Sequence, residues 1–157
     1  MNIKSFKRAF IAIISITCIL SVSCSKTDEE IDEKTQLQNY LTDNKITTKP
    51  TASGLYYIET NAGSGALAKA GNTVKVHYTG KLLNGKVFDS SIGGLPYSFI
   101  LGRGTVIAGW DEGIALMSKG GKAKLIIPSK LGYGSQAIGS IPANSTLVFE
   151  VELVYIK

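Results

Sequence analysis

Residues able to hold a metal or act as covalent nucleophiles are scarce in this chain, which has two cysteines, one histidine and one tryptophan among 157 residues. With His77 as the single imidazole and no cysteine pair left once an N-terminal leader is removed, the inventory does not build a zinc hydrolase. A Ser-His-Asp hydrolase would have to use that same histidine, and no G-x-S-x-G turn surrounds any serine. His77 is read instead as a sheet residue on the face opposite Tyr78. Residues 61–71 (NAGSGALAKAG) are rich in glycine, but no G-K-[ST] follows, so they read as loop punctuation and not as a phosphate cradle. The apolar stretch over residues 9–22 falls short of the about 20 residues that a spanning helix needs.

What is present at the N-terminus has the form of a secretory signal. Lys4, Lys7 and Arg8 precede the apolar stretch, which ends in small residues before Cys24, so residues 1–23 are set apart as a signal peptide. Cys24 follows Leu20-Ser21-Val22-Ser23, which resembles a bacterial lipobox whose cysteine becomes the lipidated first residue. Ser21 stands where leucine is usual, and Leu20 lies one position further upstream. The other reading is an ordinary cleaved signal with Cys24 as a spare thiol. Cys18 is removed in both cases, so no disulfide is available and stability must come from the core. Of the 17 basic residues three lie in the leader and none of the 12 acidic ones do, leaving 14 against 12. That near balance implies no nucleic-acid partner.

Residues 24–50 read as an acidic tether, a short helix and a linker. SKTDEEIDE over residues 25–33 is a solvated spacer. It also resembles the acidic motif that sends some Gram-negative lipoproteins to the outer face of the outer membrane, and both readings stand. Leu37, Tyr40 and Leu41 recur at helical spacing and predict an amphipathic helix over residues 33–44. Within residues 51–157, Leu55 to Glu59 is strand-like. Val74, Val76 and Tyr78 alternate with Lys75, His77 and Thr79, the period of a half-buried strand; Ala123, Leu125 and Ile127 form another alternating set, as do Leu147, Phe149, Val151, Leu153 and Tyr155. Asn84-Gly85 predicts a two-residue hairpin turn. Trp110, Ile114 and Met117 share one helical face, with Asp111 and Glu112 at the positive end and Lys119-Gly120-Gly121 as the stop.

Three ordered blocks in residues 51–157 carry a family resemblance: residues 74–91 (VKVHYTGKLLNGKVFDSS), 106–128 (VIAGWDEGIALMSKGGKAKLIIP) and 133–153 (YGSQAIGSIPANSTLVFEVEL). Together they resemble the FKBP-type peptidyl-prolyl cis-trans isomerases. The resemblance implies an α+β fold, a curved antiparallel β-sheet wrapped around one short α-helix, here preceded by the short N-terminal helix. It implies an aromatic pocket with Trp110 as floor and walls from Tyr78, Phe88, Phe99, Val106, Ile107 and Phe149. It further implies that the Ile107 N–H, the Tyr133 hydroxyl and the Asp89 carboxylate beside Tyr78 act on the substrate, and that Ile141 is the apolar residue of a flap over the pocket. Tyr97 stands on the rim where many members have Phe, and Thr105 stands where an acidic residue often contacts macrolides.

The activity so implied is rotation about X-Pro bonds, with proline-containing polypeptides as substrates, FK506-type macrolides as inhibitors and no cofactor or metal. The competing reading is a peptide-binding module of the same fold with little turnover. Such a module would keep the aromatics and drop the polar help, so Tyr133 and Asp89 discriminate, and both are present. The expected setting is the envelope of a Gram-negative bacterium, with a monomer anchored through Cys24 to the outer membrane at its periplasmic or surface face.

Overall fold

The computed structural model describes residues 32–157; the leader, Cys18, Cys24 and almost all of the acidic spacer lie outside the described residues. The N-terminal helix α1 spans Glu33–Asp43. Asp32 starts it by accepting hydrogen bonds from the Thr35 N–H at 3.0 Å and the Thr35 hydroxyl at 3.1 Å, satisfying a donor that the first helical turn leaves unpaired. After the helix, Lys45 takes a φ of 54°.

The strands are β1 Tyr56–Asn61, β2 Ser64–Leu67, β3 Thr73–Leu82, β4 Val87–Ser90, β5 Tyr97–Ile100, β6 Ser118–Lys119, β7 Lys122–Ile127 and β8 Leu147–Ile156. The main sheet is antiparallel in the order β1-β7-β8-β3-β4, with β5 also paired to β3, and β2 pairs with β6 in a small second sheet. Helix α2, Ala108–Ile114, buries Trp110 and Ile114 in the same core as Val74, Leu125, Ile127 and Leu153. Two glycines set its distance from β7. A Cβ on Gly109 would lie 2.5 Å from Ile127 Cγ2, and one on Gly113 would lie 2.8 Å from Leu125 Cδ1. The helix thus sits closer to the sheet than any side chain at those positions permits.

Four local expectations are corrected. Helix α2 ends at Ile114, so Met117 lies beyond it; the Leu116 and Met117 N–H groups bond the Gly113 and Ile114 carbonyls, tightening the chain into i to i−3 turns. Lys119 then belongs to β6, and Gly120, at φ 79°, serves the connection to β7 and does not end a helix. The hairpin at Asn84-Gly85 is a three-residue loop closed by the Leu82 N–H on the Lys86 carbonyl at 3.0 Å, with positive φ at Gly85 and not at Asn84. Tyr155 leaves the alternating set because the β3–β8 register shifts between Lys75 and Val76. That shift puts Tyr155 opposite Lys75, whose Nζ sits 5.3 Å from the ring centre, and sends Ile156 toward the core instead.

The outer face of the sheet is covered where α1 lies on it. Leu41 packs with Ile126 and Val148 in a second apolar cluster that also gathers Leu37, Tyr40, Ile46, Tyr56 and Ile58. Strands β7 and β8 are therefore buried on both faces along part of their length: Leu125, Ile126, Ile127, Leu147, Val148 and Phe149 are all buried.

A candidate active site around Trp110

Strand β3 delivers Tyr78 to the inner face, β4 delivers Phe88 and Asp89, and β8 delivers Phe149. These residues surround a cavity of about 560 Å³ whose far wall is the turn into α2, Val106 and Ile107, with buried Trp110 beneath. Tyr97 and Tyr133 complete the rim. Trp110 is the hub of the aromatic packing. Its indole lies 4.9 Å from the Tyr78 ring and 5.2 Å from Phe149, both nearly perpendicular, with Phe99 at 5.9 Å and Tyr97 at 6.1 Å. Gly80 makes one further contact possible. A Cβ there would fall 2.5 Å from Phe88 Cε2 and 2.7 Å from Phe149 Cε1, so only glycine lets the Phe88–Phe149 pair close edge to face at 5.5 Å.

Phe99 and Ile141, expected in the wall and the flap, do not line the cavity. Phe99 is buried and supports Trp110 from within the core. Ile141 is turned inward by a tight hairpin with Ile138, closed by reciprocal hydrogen bonds of 3.0 and 2.9 Å around Gly139 at φ 55°. Ile141 consequently joins the core, and it is Ile138 that stands 43% exposed. Conversely, Gly104, Thr105, Ala108 and Gly132 do line the cavity. Thr105 departs from the family pattern; the glycines and the alanine contribute little beyond backbone, which side-chain chemistry does not reveal.

Tyr78, Asp89 and Tyr133 bring polar groups to the cavity. The Tyr78 hydroxyl donates to Asp89 Oδ2 at 2.5 Å, while Asp89 Oδ1 accepts from the Ser90 N–H at 2.8 Å. Burial, reinforced by that carboxylate, pushes the Tyr78 phenol far above its ordinary range. Burial also raises Tyr133, with the charges of Asp89 and Tyr97 adding to the effect. Both shifts favour the neutral form, so both hydroxyls keep their protons through neutral and mildly alkaline pH. Ile107 precedes α2 in extended conformation, and its carbonyl accepts from the Trp110 and Asp111 N–H groups. Among the described residues its own N–H has no acceptor, and Ile107 is one of the residues lining the cavity.

Asp111 has a different part from the helix-dipole residue expected. It sits in the first turn of α2, but its carboxylate accepts from the Gly102 N–H at 2.8 Å and the Gly104 N–H at 3.0 Å. Those glycines have φ of 72° and 65°. The carboxylate therefore fixes the loop that presents Gly104 to Ile107 to the cavity. The Trp110 indole N–H is buried without an acceptor among the described residues, a cost that the ring packing must outweigh. Among the described residues, no group of three or more His, Cys, Asp or Glu side chains is arranged to hold a metal ion.

A curved antiparallel sheet closed on a short helix, with an aromatic cavity where the helix begins, defines a class of apolar-pocket binding domains. Residues 65–154 match the family of FKBP-type peptidyl-prolyl cis-trans isomerases. The chain belongs to that family. It is 56% identical over 108 residues to a probable FKBP-type peptidyl-prolyl cis-trans isomerase of Haemophilus influenzae, covering 68% of this chain and 44% of that protein. It is 55% identical over 113 residues to FK506-binding protein 4 of Mycosarcoma maydis, covering 72% of this chain and 30% of that protein. Among solved structures, the FkpA protein of Escherichia coli is similar with a TM-score of 0.72 at 43% identity, over 80% of this chain and 59% of that one. This chain thus spans less than half the length of these two sequence relatives.

Proposed function

We propose that this chain accelerates rotation about X-Pro peptide bonds in polypeptides that fold in the cell envelope. The observation that carries the reading is the cavity walled by Tyr78, Phe88, Ile107, Trp110 and Phe149, with the Tyr78–Asp89 pair and Tyr133 at the same cavity.

The reaction breaks no σ bond. Amide resonance sets a barrier of about 18–20 kcal/mol, and uncatalysed exchange takes roughly tens to hundreds of seconds. A planar amide carries the charge separation of that resonance, and a twisted one has lost much of it. Moving the imide from water onto Trp110 therefore destabilises the planar ground state more than the twisted state, which lowers the barrier. The unpaired Ile107 N–H holds the substrate carbonyl, and Tyr133 donates its hydroxyl to the substrate backbone. Asp89, by fixing the Tyr78 hydroxyl, keeps that ring upright beside Trp110 and polarises the rim.

The test is an exchange assay on the fragment of residues 25–157 with a short X-Pro peptide, with and without an FK506-type macrolide. Acceleration supports the enzyme, and macrolide inhibition assigns the activity to this cavity despite Thr105. A folded fragment that binds proline peptides without acceleration would be a binding module instead. Tyr133→Phe should lower kcat/KM about two- to tenfold, as expected for one hydrogen bond worth about 0.5–1.5 kcal/mol. An unchanged rate removes Tyr133 from the mechanism.

The setting proposed is a monomer tethered to the outer membrane through lipidated Cys24, where exported chains arrive with X-Pro bonds of mixed isomer. The support is the leader pattern ending at Cys24 and the acidic spacer after it. Cys24→Ala should leave kcat/KM unchanged and move the protein from the membrane fraction to the soluble one. Retention in the membrane would mean that an uncleaved leader anchors it.

A further inference from the structure

We infer that Glu33, on the N-terminal helix and outside the residues matched by the family, positions the segment that carries Tyr133, so that α1 is part of the working site. The inference builds on the isomerase reading above.

Strand β7 ends at Ile127 and β8 begins at Leu147, and the chain between them leaves the sheet to form one side of the cavity through Gly132 and Tyr133. At the base of this excursion stand Ser129 and Thr146, the buried polar side chains of the described residues, at 7% and 3% exposure. One carboxylate joins them. Glu33 Oε1 accepts from the Ser129 N–H at 2.6 Å and from the Thr146 hydroxyl at 2.7 Å, while Oε2 accepts from the Ser129 hydroxyl at 2.6 Å. Three donors converge on a group that only accepts, and charge-assisted hydrogen bonds of this length are among the stronger ones in proteins.

From this clamp a short bonded path leads to Tyr133. The Ser129 carbonyl accepts from the Gly132 N–H at 2.9 Å and the Gly134 N–H at 2.8 Å, so the residues on both sides of Tyr133 are tied to Ser129. The Gly134 carbonyl in turn accepts from the Asn144 N–H at 2.8 Å, two residues before Thr146. The excursion is thereby closed twice, once within itself and once through Glu33. Among the described residues, Glu33 is the side chain outside the excursion that hydrogen-bonds both of its ends. Without it, the Ser129 N–H and two buried hydroxyls lose their acceptor, and water must enter or the base must open. Glutamine weakens the clamp: its amide oxygen can still accept from the Ser129 N–H and the Thr146 hydroxyl, but its NH₂ meets the Ser129 hydroxyl, which must turn round to accept, and the charge assistance is lost.

The experiment compares the purified full chain with its Glu33→Gln and Thr146→Val variants. Met117→Ala serves as a control that weakens the main core at a residue sharing none of Glu33's bonds. All are assayed at a temperature where circular dichroism shows them folded. Glu33→Gln is expected to lower kcat/KM at least threefold, chiefly through KM, because Tyr133 is no longer held in place for substrate. By NMR, amide hydrogen exchange should rise at Gly134 and Asn144 while the amides of β7 stay protected. Thr146→Val, which removes one of the three donors, should shift both readouts the same way by less; it also carries the test alone if Glu33→Gln does not fold. Met117→Ala should lose stability and keep its kcat/KM. Unchanged kcat/KM with unchanged exchange in Glu33→Gln overturns the inference, as does an equal loss of kcat/KM in Met117→Ala. Should the unaltered chain show no isomerase activity, it is the isomerase reading that fails; exchange then decides the clamp alone, faster at Gly134 and Asn144 supporting it and unchanged overturning it.

Discussion

Trp110→Ala is expected to destabilise the protein by about 3–5 kcal/mol, the usual cost of truncating a buried aromatic, and to abolish measurable isomerase activity. The indole is 5% exposed, and the rings of Tyr78, Tyr97, Phe99 and Phe149 all pack on it. Removing it leaves four rings without their common neighbour. The cavity floor and part of the core disappear together, because the side chain closing the cavity from below also helps to join α2 to the sheet. Urea midpoints and the X-Pro assay separate the two effects. Trp110→Phe should retain much of the stability, since it keeps one ring and removes an N–H that has no acceptor among the described residues. An alanine variant with an unchanged midpoint and full activity would place both the core and the reaction elsewhere.

How much of this was legible in the sequence follows from what each signal encodes. The family resemblance, and neither periodicity nor composition, implies a pocket of Tyr78, Phe88, Val106, Ile107, Trp110 and Phe149, and in the structure all six line one cavity. Depth within a face is not encoded in this way. The resemblance implies Phe99 in the wall and Ile141 in the flap, but ring packing and the Ile138–Ile141 hairpin decide that both fill the core. Register irregularities escape for a related reason. The shift opposite Lys75 and Val76 reverses the direction of Tyr155, and no pattern of period two announces the residue that is skipped. The roles of Asp111 and Glu33 are not legible because a carboxylate in a helical first turn looks the same in sequence whether it faces solvent or, as here, backbone N–H groups outside its own helix.

Leu41→Ala is expected to cost about 2–5 kcal/mol, close to the penalty of a core substitution, although the residue lies outside the family match in a helix of eleven residues. A free helix of about that length is marginal in water, so the helical state of α1 depends on what it covers. The sequence carries a sign of that cover. In Leu125-Ile126-Ile127 and Leu147-Val148-Phe149 the alternation stops and every side chain is apolar, the pattern of strands buried on both faces. The partner for the outward-facing Ile126 and Val148 is Leu41, itself 6% exposed, flanked by Leu37, Tyr40 and Ile46. With alanine at this position the cluster loses its central side chain and α1 its strongest apolar hold on the sheet. Thermal unfolding followed by circular dichroism should give a clearly lowered midpoint, whereas exposed Gln38→Ala on the same helix should leave it almost unchanged. Equal midpoints for both variants would mean that α1 adds no stability and that Ile126 and Val148 tolerate exposure.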